Sequence, residues 1–380
     1  MQNNLKNRVC RIIWWLMSVW ICSCLLIGSA FYVYTGNPFG FVKFFRTLHI
    51  VETQYAGVVD KSALLDGALE GIVAKLDDKH SIYLDGDKYE FFSSQTSGTY
   101  GGIGVYLSNY DGQAMINEVM PGEPADEAGI RRGDTIIAIN NGAVQEMNLA
   151  DVSNEIRGKA GTTVSLTLRR DGQDFTVDVA RRRIRMKTVA GQMLPGTDIG
   201  YIRVAIFSEN TGKEFTEQYE ALRQQGMNKV ILDLRNNPGG LLDQALQVAN
   251  NFFPEGSTLC SYVDRQGQET DYTVSGGGTT LPMIILVNEN TASAAEIVAG
   301  SVQDLKLGTL VGTNTYGKGT VQGIYAIDEQ NAVKVTVAKY KTANGRTVDG
   351  TGVAPDDVVP LQPNDEVDHQ FARAYELLNQ

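Results

Sequence analysis

The chain has 380 residues, 20% of them charged, with a formal net charge of −11 and an isoelectric point of about 4.9. That length holds two or three domains with a substantial core. The acidic balance argues against nucleic acid as a partner, because such a surface needs a basic patch. Of the four cysteines, Cys10, Cys22 and Cys24 fall in one apolar N-terminal stretch and Cys260 stands alone. The rest of the chain therefore has no disulfide framework and no zinc spacing.

Residues 12–34 carry no charge and follow Lys6, Arg8 and Arg11. At ~1.5 Å per residue, a helix of that length crosses a hydrocarbon layer of roughly 30 Å. All three tryptophans, Trp14, Trp15 and Trp20, sit near its charged end, as interfacial residues do. The basic flank predicts a cytoplasmic N-terminus and a body on the other side. Gly28-Ser29-Ala30 would also suit a cleaved signal peptide, and Cys24 a lipid-modified start. Apolar and aromatic residues run on past Ala30, so a membrane anchor over 1–35 is the expectation.

Residues 36–97 read as a small helical region. Phe41, Phe44, Phe45 and Leu48 recur at helical spacing, as do Leu65, Leu69, Ile72 and Leu76. Residues 98–182 read as a separate β-rich module with helices. It opens on Gly101-Gly102-Ile103-Gly104, continues in short alternating strands (114–119, 135–139, 164–169, 174–180), and has a helix over 149–157. Residues 183–360 read as α/β. Strands are expected at 199–206, 229–234 and 283–287, with helices at 211–224, 241–253 and from the Ser293 turn through 305. The tail, 361–380, reads as acidic and then as a short amphipathic helix.

Four segments carry chemistry. Ser293 follows the 283–287 strand at the start of a helix, where free N–H groups favour negative charge. The Ala294 N–H would then be one donor to an oxyanion. Ser293 with Glu296 is equally a helix capping box. Lys318 lies in Tyr316-Gly-Lys-Gly-Thr-Val-Gln322. A free lysine titrates near ~10.4, and burial can bring it into the range of a general base. Beside glycine it is also an ordinary turn residue. The only histidines are His49, His80 and His369, so none lies between 81 and 368 to serve a serine there. A lysine can take that part. Gln322 would orient the amine, or would be a solvated strand residue. Asp233-Leu-Arg-Asn-Asn-Pro-Gly-Gly240 ends a strand, and Gly239 or Gly240 would supply a second oxyanion donor.

The wording and order of these segments, with 344–356 as a closing motif, resemble the carboxyl-terminal processing peptidases, the tail-specific S41 family of serine endopeptidases. The resemblance spans roughly residues 40–360. Ala295 departs from it where members often carry serine. The 98–182 module resembles a PDZ domain, most closely over 121–134. The family likeness implies a multidomain α+β chain: a transmembrane helix, a helical region, a PDZ domain and an α/β protease core resembling the crotonase/ClpP-like fold. It implies a catalytic set of Ser293, Lys318 and Gln322 with no metal or cofactor. In the PDZ-like module, N–H groups of Gly102, Ile103 and Gly104 would hold a peptide carboxylate. Leu149 and Val152 would take its apolar last side chain. Arg157, at the end of that helix, would sense the peptide or be a solvated cation. Expected partners are proteins with apolar C-termini and the membrane. A homo-oligomer or an activator protein is left open.

Overall fold

The computed structural model describes residues 2–110, 112–361 and 367–380. The acidic stretch expected at 362–366 lies outside the described residues. The chain divides into two compact units, 1–72 and 73–380.

In the first unit, one helix runs Gln2–Thr35. Its segment Ile13–Thr35 has a mean hydropathy of 2.0 and buries nothing in protein, and it is long and apolar enough to cross a membrane. Gly36 ends the helix in the left-handed region, at φ 67°. Helix Gly40–Gln54 buries no side chain. Helix Lys61–Ala74 begins where the Asp60 carboxylate accepts from the Ser62 N–H (2.8 Å).

The second unit is built on a mostly parallel sheet. Ile199–Val204, Lys229–Asp233, Met283–Val287, Thr309–Gly312 and Asp357–Val358 run parallel in that order, and Val189–Met193 lies antiparallel on the outer edge. Every residue of Met283–Val287 is buried, as expected of a strand covered on both faces. Val230, Leu232, Ile285 and Val287 share a core with residues of helices Thr211–Gln224, Leu242–Ala249 and Ala294–Asp304. The alternate residues Ile231, Ile284 and Leu286 pack with Ala374 and Leu378 of the C-terminal helix His369–Leu378. Each such buried side chain contributes roughly 1.5–3 kcal/mol relative to exposure. Because the strands point one way, their C-terminal ends gather the loops 234–241, 288–293 and 313–319 at one edge of the sheet.

A second, antiparallel sheet has no counterpart in the sequence reading. Its long strand Ala332–Thr342 pairs with Ile82–Leu84 and Thr258–Asp264 along one edge and with Thr320–Ala326 along the other. Glu269–Thr273 completes it. Gln322 therefore stands on a strand. The helix expected over 241–253 is shorter, Leu242–Ala249. Beyond it the Asn250 side chain accepts from the Ser275 N–H (3.1 Å), and Pro254 disfavours continued helix.

The β-rich module leaves and rejoins this unit through paired strands Thr99–Gly102 and Arg182–Arg185, so its two crossings lie side by side. Its six-stranded antiparallel sheet, Val105–Tyr110 through Gln173–Ala180, encloses Ile116, Ile136, Val152, Ile156, Val164 and Leu166. Asn140 and Asn141 (φ 48° and 68°) turn its Thr135–Ile139 strand back in the two-residue hairpin that needs positive φ twice. Arg181, buried, caps helix Leu149–Ile156 by donating to the Ile156 (2.8 Å) and Glu155 (2.9 Å) carbonyls.

Candidate active site

Ser293 occupies a sharp turn between strand Met283–Val287 and helix Ala294–Asp304, at φ 56°, ψ −120°. A non-glycine residue there is strained, and a strained strand-to-helix serine is how a nucleophile elbow presents its hydroxyl. Its neighbours Ala292, Ala294 and Ala295 are buried, while Ser293 itself is half-buried. Small residues are needed here: a Cβ on Gly239 would stand 2.7 Å from the Ser293 Cβ.

Glu296 explains how the strained turn is held. Fully buried, its carboxylate accepts from the Ser293 N–H (2.8 Å), the Gly317 N–H (2.7 Å), the Lys318 N–H (2.8 Å) and the Thr315 hydroxyl. Charge-assisted bonds of this kind are the strong ones, worth roughly 1.5–3 kcal/mol each. The capping-box partner read from sequence is thus a bridge between the serine turn and the lysine loop. Tyr340, from the long antiparallel strand, clamps the other side. Its hydroxyl donates to the Ser293 carbonyl (3.2 Å) and the Lys318 carbonyl. Sequence reasoning missed Tyr340, because only the pairing of two distant strands brings it here.

Lys318, Ser293 and Gln322 line one cavity of about 360 Å³. Burial and the neighbouring Lys334 ammonium push the Lys318 pKa down from 10.5 to about 8, against the opposing pull of Glu296 and Asp78. The walls are mainly apolar: Phe92 from helix Gly86–Ser97, with Ile206, Leu241, Leu242 and Ile297. Gln322 donates through its amide nitrogen to the Thr320 (2.8 Å) and Thr336 (3.4 Å) hydroxyls. A register shift between Val321 and Gln322 locally bends the strand, and such bulges re-aim side chains near sites.

The loop after strand Lys229–Asp233 brings Gly239 and Gly240 to the same cavity. Arg235 fixes the loop's start: it pairs with Asp233 (2.7 Å) and with Asp368 (2.8 Å) before the C-terminal helix. The Gly239 N–H is already donated to the Asn237 side chain (2.9 Å). Gly240 has φ 135°, and a Cβ there would stand 2.1 Å from the Phe207 carbonyl oxygen, so no other residue fits. Among the described residues, neither its N–H nor that of Ala294 has a hydrogen-bond acceptor.

Comparison with known proteins places this arrangement. The model of Peptidase family S41 matches residues 198–359, that of a PDZ domain matches 115–170, and that of the activating protease CtpB N-terminal domain matches 35–88. The carboxyl-terminal-processing protease of Synechocystis is 37% identical over 327 residues, covering 82% of this chain and 76% of its own. The chain belongs to peptidase family S41. The carboxy-terminal processing protease CtpA of Bacillus subtilis is 36% identical over 317 residues, with coverage of 83% and 68%. Among solved structures, the photosystem II D1 C-terminal processing protease has 27% identity and a TM-score of 0.50, covering 92% of this chain and 95% of its own. An S41 protease from Bacteroides fragilis shares the fold at 20% identity and a TM-score of 0.56, with coverage of 86% and 92%.

In the PDZ domain of this S41 peptidase, a narrow cavity of about 30 Å³ lies between strand Val105–Tyr110 and helix Leu149–Ile156. Gly102, Ile103 and Gly104 line it, together with Ser153, Ile156 and Arg157. Leu149 and Val152, expected to form the side-chain pocket, do not. Val152 is fully buried in the domain's own core, because the helix turns its 152/156 face inward. Arg157 lies over the Tyr100 ring, 4.8 Å from its centre, on the strand that links the domain to the protease core.

Proposed function

We propose that this S41 peptidase is a membrane-tethered serine endopeptidase. In this reading it recognises protein C-termini through its PDZ domain and cuts by a Ser-Lys acyl-enzyme mechanism. The observation that carries this is the pairing of two features in one cavity: a strained, helix-starting Ser293 and a half-buried Lys318 whose pKa falls to about 8, both held through Glu296. Neutral Lys318 takes the Ser293 proton as the hydroxyl attacks the scissile carbonyl. The resulting ammonium gives the proton to the leaving amine, and water, activated by the same lysine, releases the acyl group. The N–H groups of Ala294 and Gly240 hold the oxyanion. Gln322 turns from the threonines to orient the amine. The apolar walls accept an apolar side chain at the cut. No metal or cofactor takes part.

The Ile13–Thr35 helix is the tether, which its length and hydropathy support, and the catalytic part lies outside the cytoplasm, which the basic flank of Lys6, Arg8 and Arg11 supports. The domains are 1–35, 36–97, 98–182, 183–360 and 361–380, and the parallel sheet with its helices supports a crotonase/ClpP-like core. The PDZ domain also gates the site. Its groove is nearly closed, and a peptide strand entering it meets Arg157 stacked on Tyr100, next to the paired linker strands. The test is cleavage of a loosely folded protein with an apolar C-terminus by the full chain in detergent. Activity lost in both Ser293→Ala and Lys318→Ala supports the reading, and activity surviving Ser293→Ala sinks it.

A further inference from the structure

The cavity holds a second lysine. Lys334 stands on the long antiparallel strand, directly opposite Ile324 on one side and Ile82 on the other. Alternation places Lys334 and Thr336 on one face of that strand, across from Ile324 and Gln322. Lys334, Ile324 and Gln322 all line the cavity with Lys318. The Lys334 ammonium lies over the Phe92 ring, 5.6 Å from its centre, and among the described residues no carboxylate lies within ion-pair distance of it. An unpaired cation inside a mostly apolar cavity is costly, and the aromatic face offsets only part of that cost.

Resting on the Ser-Lys reading above, we propose that Lys334 is a positioning residue for the reaction: its ammonium, braced on Phe92, disfavours the Lys318 ammonium and so eases Lys318 into the neutral form that can accept the serine proton. Two like charges in one cavity disfavour each other's ionisation, and a neighbouring cation is one of the ways a lysine becomes a base near neutral pH. The other charged and titratable groups around the pair are few. Asp78, held by the Ser81 hydroxyl (2.6 Å) and the His80 N–H (3.0 Å), acts on both lysines in the opposite sense. Glu296 also favours the Lys318 ammonium, but it is committed to four donors. His80, whose buried Nε2 has no partner, has its pKa lowered, first by burial and then by the lysines around it, against the pull of Asp78. Lys79 itself lies over Tyr316, 5.1 Å from the ring centre. Burial holds the Tyr340 phenol protonated.

The test is the pH dependence of kcat/KM for the full chain, with Lys334→Gln, Lys334→Arg and Asp78→Asn beside it. Loss of the cation raises the Lys318 pKa. The acidic limb of Lys334→Gln therefore moves to higher pH, and the rate at neutral pH drops by about threefold for each half-unit of movement. The alkaline plateau is kept. Lys334→Arg holds the limb in place. Asp78→Asn moves it to lower pH, an opposite displacement that a merely structural role cannot produce. A Lys334→Gln profile lowered equally at every pH, or unmoved, overturns the proposal. If Lys334→Gln fails to fold, Lys334→Met takes its place, and a limb unmoved relative to the parent would overturn the proposal. Failure of the Ser-Lys reading is separate and shows in the parent, as activity that survives Ser293→Ala.

Discussion

Replacing Lys318 with methionine is expected to make the protein more stable while it abolishes cleavage. In the folded chain, burial and Lys334 bring the Lys318 pKa from 10.5 down to about 8. The unfolded chain therefore binds more protons between those values, and stability rises with pH through that window. Below about pH 8 the folded state carries the full cost of a buried ammonium. At ~1.4 kcal/mol per pH unit this comes to about 3 kcal/mol. Methionine keeps a flexible chain of similar length and has nothing to ionise. At pH 7 the variant should gain up to about 3 kcal/mol over the parent, and the gain should vanish above about pH 10.5. Urea titrations followed by circular dichroism at several pH values measure the difference; tryptophan fluorescence would not serve, since all three tryptophans lie in the apolar N-terminal helix. A variant no more stable than the parent at pH 7, or one whose gain is the same at pH 7 and above pH 10.5, would refute the reasoning. The first outcome would mean a well-solvated lysine, and the second a packing effect rather than a charge effect.

Glu296→Gln should lose activity by at least about 100-fold while keeping the side chain's shape, because an amide cannot accept from four donors and the serine turn and lysine loop lose their common anchor. Its stability should fall by roughly 1–3 kcal/mol. Steady-state kinetics and a urea titration read the two effects; a kcat within a factor of a few of the parent would show that Glu296 is only a cap. If the PDZ domain holds C-termini as proposed, a peptide with a free, apolar C-terminus should bind it at least about tenfold more tightly than its C-terminal amide. Fluorescence polarisation with the full chain measures this, and equal binding of acid and amide would remove the C-terminus from the recognition event.

Much of the site is legible in the sequence because its parts are local. Ser293 sits between a run of buried strand residues and a run of small helix residues, and Lys318 sits between glycines, so each segment announces a turn. The absence of histidine from 81–368 then narrows the choice of base. What the sequence hides is long-range. Glu296 reads as an ordinary capping partner until the 313–319 loop returns beside it. Tyr340 and Lys334 lie in a strand of alternating polar and apolar residues, and nothing local separates them from Lys339 or Lys341, which are spent on surface ion pairs. The antiparallel sheet itself goes unread, since its strands mix threonine, tyrosine and lysine with valine and pair across long stretches of chain, as Ile82 does with Lys334. The PDZ pocket is misjudged for a related reason. Leu149 and Val152 have the right spacing for one helix face, but Val152 is spent on the domain's own core, and the groove is lined further along the helix, by Ser153, Ile156 and Arg157.

The most direct test of the account is to trap the covalent intermediate. An activated ester of a short apolar peptide, mixed with the full chain and quenched in acid within the first turnover, should leave one acyl group on the protein. Peptide mapping by mass spectrometry should place it on Ser293, with no adduct in Ser293→Ala and a greatly slowed one in Lys318→Ala. Turnover without any adduct, or an adduct on another residue, would contradict a Ser-Lys acyl-enzyme at this site.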